Sequence, residues 1–307
     1  MAFIEEAKRL YEDTGRELIH SLLPQYEDRM AIGLAGHGSE CFGFDDEISR
    51  DHDFSLGFSI WIDDETDNAA GVEISRVYRR ICGRAGAERS ALADNARGVH
   101  RIGDFYSRYT GSAGAPETWE QWMFVPEYAL AEASNGQVWR DASGRFSRER
   151  EIILNGMPED VRKKKIAARA VKMAQSGQYN YLRCLKHGQE GAAALALAEF
   201  VQASCSMIYL LNRKHMPYYK WAFKGMEGLE KLGDMKDALE FLLTGEQDQD
   251  GIMIKTGVIE DICAGIVSEM KKQDLTDINS DYLEPHAFSV MEHIENAQIR
   301  SLHVMEG

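Results

Sequence analysis

The chain has 307 residues, 44% hydrophobic and 28% charged, a composition of ordinary globular proteins and a length that allows two domains with cores of their own. Its formal net charge of −15 at pH 7 opposes a polyanionic partner, because nucleic-acid affinity rests on neutralised phosphates; DNA and tRNA are disfavoured as substrates, while a local basic cleft for one nucleotide is not. Cys41, Cys82, Cys184, Cys205 and Cys263 stand apart, with no C-x-x-C pair and no histidine at zinc spacing, which reads as reduced thiols in a cytoplasmic protein.

At the N-terminus no basic segment precedes an apolar run, so no signal peptide is expected. Ile4, Ala7, Tyr11, Thr14, Leu18 and Leu22 recur at three and four residues, which predicts an amphipathic helix over 3–22, ended by Pro24 and packed on a sheet. The apolar run Ala31 to Ala35 predicts a first strand. It leads into Gly36-His37-Gly38-Ser39, a turn whose glycines let backbone N–H groups approach an anion and whose serine hydroxyl can donate to a phosphate oxygen.

From Asp51 onward the sequence alternates: Asp51, Asp53, Ser55, Gly57 and Ser59 on one side, His52, Phe54, Leu56, Phe58, Ile60 and Ile62 on the other. That period of two predicts a half-buried strand over 51–62, with its register fixed by the apolar side. Asp51 and Asp53 then share a face, close enough that a proton or a cation must relieve their repulsion, and magnesium, a hard ion with oxygen ligands, fits. An isolated D-x-D strand is otherwise a solvated edge. The preceding run Asp45-Asp46-Glu47 reads as a solvated loop or a helix cap, with contact to a cationic acceptor as the alternative.

Farther along, the pattern predicts a helix over 72–82, a strand over 98–102, a short helix over 105–109, a loop over 111–116, a helix over 117–133 and a strand over 137–141. Residues 142–160 mark a change of style, and the domains are placed at 1–155 and 156–307. Beyond the boundary the periodicity is helical throughout, at 161–174, 192–212, 229–243, 252–270 and 286–304, the pattern of an up-and-down bundle. The fold class is therefore an α/β N-terminal domain with a small mixed sheet, followed by an all-α helical bundle.

The longest apolar run, Ala192 to Leu211, contains Glu199 and Gln202 and reads as a buried helix rather than a membrane span. Glu199, Gln202 and Ser206 fall on one face of that helix. A buried carboxylate must be paired or put to use, so Glu199 either pairs with Arg183 or Arg213 or is the general base for an acceptor hydroxyl. For a third acid beside the aspartate pair, Asp104 is preferred to Glu73. The segments Gln178 to Arg183, Leu211 to Arg213 and Pro217 to Trp221 set basic groups among aromatic rings, either to hold a phosphate under a stacked base or to close the end of the bundle. There is no G-x-x-x-x-G-K-[ST] loop, G-x-S-x-G elbow or H-E-x-x-H helix.

Gly38-Ser39, then Gly43, Ser49, Asp51, His52, Asp53 and Phe54 resemble the signature of the nucleotidyltransferase superfamily, the polymerase-beta-like fold in its minimal or antibiotic-modifying form. Two departures are His52, polar where the family carries an aliphatic residue, and the acidic 45–47 run. Y-N-x-x-R at Tyr179 to Arg183, N-R-x-x-x-P-Y-Y-K-W at Asn212 to Trp221, and Gly136-Gln-Val-Trp-Arg-Asp141 resemble an uncharacterised family that joins such a domain to a helical bundle. The resemblance implies a metal-dependent enzyme. Mg2+ would be held by Asp51, Asp53 and Asp104, with ATP or another nucleoside triphosphate as donor and Gly38 and Ser39 on its phosphates. By analogy with antibiotic nucleotidyltransferases, Arg183 and Lys220 would touch the triphosphate across a cleft. Transfer of AMP to a hydroxyl of a small, cationic molecule is the expected reaction, with a protein acceptor, as in adenylylating antitoxins, or a non-catalytic nucleotide sensor as alternatives. No membrane partner is expected.

Overall fold

The computed structural model describes residues 2–46, 56–84, 97–246 and 248–307. The chain forms two compact units, Met1–Gln121 with Val125–Gly156, and Trp122–Phe124 with Met157–Gly307. The first is mixed α/β around a four-stranded sheet and the second is helical.

In the first unit the N-terminal helix runs as α1 (Phe3–Leu10), a π-helical segment Tyr11–Gly15 and α2 (Arg16–Leu22). The expected stripe is buried at Ile4, Ala7, Tyr11 and Leu18, while Leu22 at the end is 39% exposed. Strand β1 (Ala31–Leu34) follows, then the one-turn helix α3 (Ser39–Phe42). Strand β2 (Ser59–Ile62) pairs antiparallel with β1, Gly33 opposite Ser59 and Ala31 opposite Trp61. Residues 51–55, which carry Asp51 and Asp53, lie outside the described residues, as does Glu47.

Helix α4 (Asp64–Arg84) is longer than the 72–82 expected. Its start is set by Asp63, whose Oδ1 accepts the Thr66 N–H at 2.7 Å, with Asp64, Glu65 and Asp67 complementing the helix dipole in the first turn. Strand β3 (Gly98–Arg101) pairs parallel with β2 and runs into α5 (Ile102–Thr110). In place of one helix over 117–133 there are two, α6 (Trp119–Phe124) and α7 (Glu127–Ser134). Pro126 between them restricts Val125 to extended backbone and ends α6. Strand β4 (Gln137–Asp141) completes the sheet in the order β3-β2-β1-β4. Its register with β1 jumps from Arg140 to Val138, a bulge that leaves Trp139 as the extra residue. The stretch beyond it forms α8 (Arg145–Asn155).

Both faces of the sheet are covered. Phe58, Ile60, Ile62 and Ile32 pack with Leu10, Tyr11, Leu18, Ile74, Val77 and Ile81 on one side. On the other, Trp61 stacks on Phe146 of α8 with centroids 4.0 Å apart and meets Phe105 of α5 edge-on at 5.5 Å. Ser59 and Trp61 are therefore 1% and 0% exposed. Of the strand expected over 51–62, residues 56–58 are described and lie outside any strand; β2 itself is buried on both faces, because α5 and α8 cover the side that its alternation marked as polar.

The second unit contains α9 (Glu159–Met173), a π-helical segment Ala174–Tyr181, α10 (Leu182–Lys186), α11 (Glu190–Leu211), α12 (Tyr219–Met226), α13 (Lys236–Thr244), α14 (Gln249–Lys272), α15 (Leu283–Glu292) and α16 (Ala297–Ser301), and no strand among the described residues. Helix α13 begins seven residues later than expected from Leu229, and the single helix expected over 286–304 is two. Asn296 divides them: its side chain caps α16, accepting the Gln298 and Ile299 N–H groups. Helices α11 and α15 pack on α9, whose Ile166, Ala167, Ala170 and Val171 are buried. Helix α11 is long and apolar enough to cross a membrane by length and composition, yet 67% of its apolar window is buried inside the fold.

Candidate functional site

The corner after β1 is built from the strand outward. Gly36 is buried at φ +111, and a Cβ there would stand 2.7 Å from the Tyr109 hydroxyl, so only glycine fits. Its backbone is clasped by Asn135 just past α7: the Gly36 N–H donates to Asn135 Oδ1 and Asn135 Nδ2 donates to the Gly36 carbonyl, each at 2.8 Å. The next N–H, of His37, donates to the Tyr109 hydroxyl at 3.1 Å. Gly38 then takes φ +122, and Ser39 opens α3. Helix α5 and the residue just past α7 thus hold two successive residues of the turn, Gly36 and His37.

Charged groups surround it. His37 Nδ1 lies 3.2 Å from Oε1 of Glu132, a carboxylate only 9% exposed. Glu40 is ion-paired with Arg97, whose guanidinium lies 5.3 Å from the centroid of the Phe3 ring. Cys41 is buried beneath the turn, and burial pushes its thiol up to about 12, so it is an inert thiol at neutral pH. Asp45 Oδ2 accepts the Phe3 N–H at 2.9 Å, which gives this member of the acidic run a structural role at the start of α1.

On β3, His100 stands opposite Trp61 in the parallel register. Burial, then the nearby charges of Arg108 and Arg97, bring its pKa down to about 4 against the opposing pull of Asp104. The imidazole is therefore neutral at pH 7. Asp104 itself is exposed in the first turn of α5, and Glu73 is exposed on α4. No group of three or more His, Cys, Asp or Glu side chains among the described residues could hold a metal ion, so the magnesium expectation rests on Asp51 and Asp53.

In the helical unit Glu199 and Gln202 are exposed and Ser206 is buried, accepting a hydrogen bond from Arg169 Nε at 2.7 Å. The expectation of a buried Glu199 is corrected: the first half of α11 buries only Ala193, Leu197 and Phe200, and the carboxylate falls outside that stripe. Arg213 pairs with Glu159 at 2.8 Å rather than with Glu199. Arg183 is exposed and lies over the Tyr179 ring at 5.4 Å, and Lys220 is exposed beside Trp221, 5.9 Å from its ring centroid.

Asn135, Tyr109, Glu132 and the Glu40–Arg97 pair were not legible in the sequence as parts of this corner. The one signal available was the segment Gly136 to Asp141, which begins one residue past Asn135.

A domain of unknown function, DUF4037, matches residues 122–222. No curated protein matches the chain. Among solved structures the chain is similar to a nucleotidyltransferase-like protein from Exiguobacterium sibiricum, at 13% identity and a TM-score of 0.38, over 93% of this chain and 81% of that one.

Proposed function

We propose that the chain is a nucleotidyltransferase that moves AMP from ATP to a hydroxyl of a small molecule with release of pyrophosphate. The observation that carries this reading is the glycine–serine corner at the end of β1, where Gly36 and Gly38 hold backbone that L side chains rarely adopt and Ser39 follows at once. It stands where the sequence resemblance requires a phosphate cradle. Gly36 lies against Tyr109 and Phe105, and Phe105 also meets Trp61. Trp61 and Ser59 belong to the alternation that, in sequence, continues back to Asp53 and Asp51.

In this reading Gly38 and Ser39 bind phosphate oxygens, and Asp51 and Asp53 hold the magnesium, which would neutralise charge on the triphosphate. The acceptor oxygen bonds to the α-phosphorus, the bond from that phosphorus to the bridging oxygen breaks, and pyrophosphate leaves with the electron pair. The acceptor proton passes to a carboxylate, for which Glu199 is the candidate. Arg183 and Lys220 are candidate triphosphate contacts.

Pyrophosphate release from ATP and magnesium, measured over a panel of amino alcohols and with a co-expressed lysate as acceptor, tests the reaction. D51N and D53N are each expected to lower the rate by 10²-fold or more, on the order of a lost metal ligand. E199Q keeps Glu199 as the base only if it lowers kcat. ATP binding with no turnover on any acceptor would reject the catalytic reading, and a mass gain of one nucleoside monophosphate on a protein would move the acceptor from a small molecule to a polypeptide.

A further inference from the structure

On the free side of edge strand β4 lies a groove of about 760 Å³ lined by Gly136 to Arg140, by Lys8, Tyr11, Glu12 and Arg16 of the N-terminal helix, and by Ser147 and Arg150 of α8. Four cations and one carboxylate meet there in a chain whose net charge is −15. Arg140 is neutralised by Asp28 at 2.6 Å and Glu27 at 3.4 Å. Lys8, Arg16 and Arg150 have no carboxylate within ion-pairing distance among the described residues.

Arg150 is the informative one. Its Nε and Nη2 donate to the carbonyls of Asn135 and Gly136 at 3.3 and 3.2 Å, which fixes the guanidinium plane and leaves Nη1 without a hydrogen-bond partner among the described residues. Burial lowers its pKa against the opposing pull of Tyr106 and Glu151: a guanidinium taken partly out of water with no carboxylate in ion-pairing distance gains from an anion that completes it. Arg140 Nε is a buried atom with no partner among the described residues. Beside them Trp139, the bulge residue, stacks on Tyr11 at 6.1 Å and 18°, so the basic groups stand next to an aromatic wall.

We propose that this groove is a binding site for a phosphate-bearing small molecule, with Arg150 as its anchor and Lys8 and Arg16 closing around the anion. A planar fork fixed by backbone carbonyls suits phosphate oxygens, and the volume is that of a small-molecule site. Arg150 holds the Asn135 carbonyl while the Asn135 side chain clasps Gly36, so one residue touches both the groove and the corner after β1. The proposal does not depend on the nucleotidyltransferase reading.

Calorimetric titration of the full chain with inorganic phosphate and with phenyl phosphate tests it, the two ligands separating free phosphate from a phosphoryl group on an organic molecule. Saturable binding is expected for at least one, weakened roughly tenfold by R150Q and roughly threefold by R16A, and weakened further by salt. S39A is expected to leave it unchanged. K8A and R16A, on the half-buried and exposed helix surface respectively, keep the test valid should R150Q fail to fold. Absence of saturation for both ligands up to about 10 mM, or binding that S39A weakens and R16A does not, would overturn the proposal; the second result would place the anion at the Gly36 to Ser39 corner instead.

Discussion

Asn135 holds Gly36 by both of its backbone groups, Oδ1 accepting and Nδ2 donating at 2.8 Å each across 99 residues of sequence. The amide side chain thereby does what a neighbouring strand would do for a residue that has left the sheet. Asn135→Ala leaves a buried N–H and C=O unsatisfied and is expected to destabilise the first unit by about 2–3 kcal/mol. Asn135→Asp keeps the acceptor but sets a carboxylate against the Gly36 carbonyl and is expected to be no better. Urea denaturation measures both; a loss below about 0.5 kcal/mol for the alanine variant would show that water substitutes freely at the corner.

His100 sets an acid limit. Its pKa in the folded chain is about 4, below its ordinary value of 6.5, so the stability it contributes is complete above 6.5 and is lost as pH falls through about 4. His100→Gln is expected to lose less stability than the wild type between pH 7 and pH 4.5, by about 1–3 kcal/mol. Parallel urea titrations at the two pH values give the difference, and equal losses would contradict the assignment.

Lys164 gives the opposite end of the scale. Its side chain is fully buried on α9, its Nζ donates to the carbonyls of His303, Val304 and Glu306 at 2.8, 3.1 and 2.6 Å, and burial brings its pKa down to about 8 from 10.5. The unfolded chain binds the proton more tightly between those values, so wild-type stability rises relative to Lys164→Met as pH climbs from 8 toward 10.5, by about 1.4 kcal/mol per unit of pKa difference at most. At pH 7 the variant is expected to be less stable, having left three carbonyls without their donor. A wild-type-minus-variant difference that stays flat with pH would contradict the burial of this amine.

Periodicity made much of the scaffold legible. The stripe Ile4, Ala7, Tyr11 and Leu18, the run Ala31 to Ala35, and the apolar face of 252–270 each appear as α1–α2, β1 and α14. Helix α8 was hidden because R-F-S-R-E-R-E-I-I-L-N buries only Phe146 and Ile153, too few to set a period. The split of 117–133 was visible in Pro126 alone. Burial on both faces of β2 was beyond the sequence, since it depends on Phe105 and Phe146 arriving from elsewhere to cover Trp61. At the corner, the turn was legible because Gly36 and Gly38 take positive φ, which demands particular residues. Asn135 and Tyr109 were not, because a side chain that braces a distant turn leaves no local spacing.

The most direct measurement is a crystal structure of the chain with magnesium and a non-hydrolysable ATP analogue. The account predicts triphosphate oxygens within hydrogen-bond distance of the Gly38 and Ser39 backbone and hydroxyl, bridged by magnesium to Asp51 and Asp53. A triphosphate seated elsewhere, or aspartate carboxylates turned away from that turn, would contradict it.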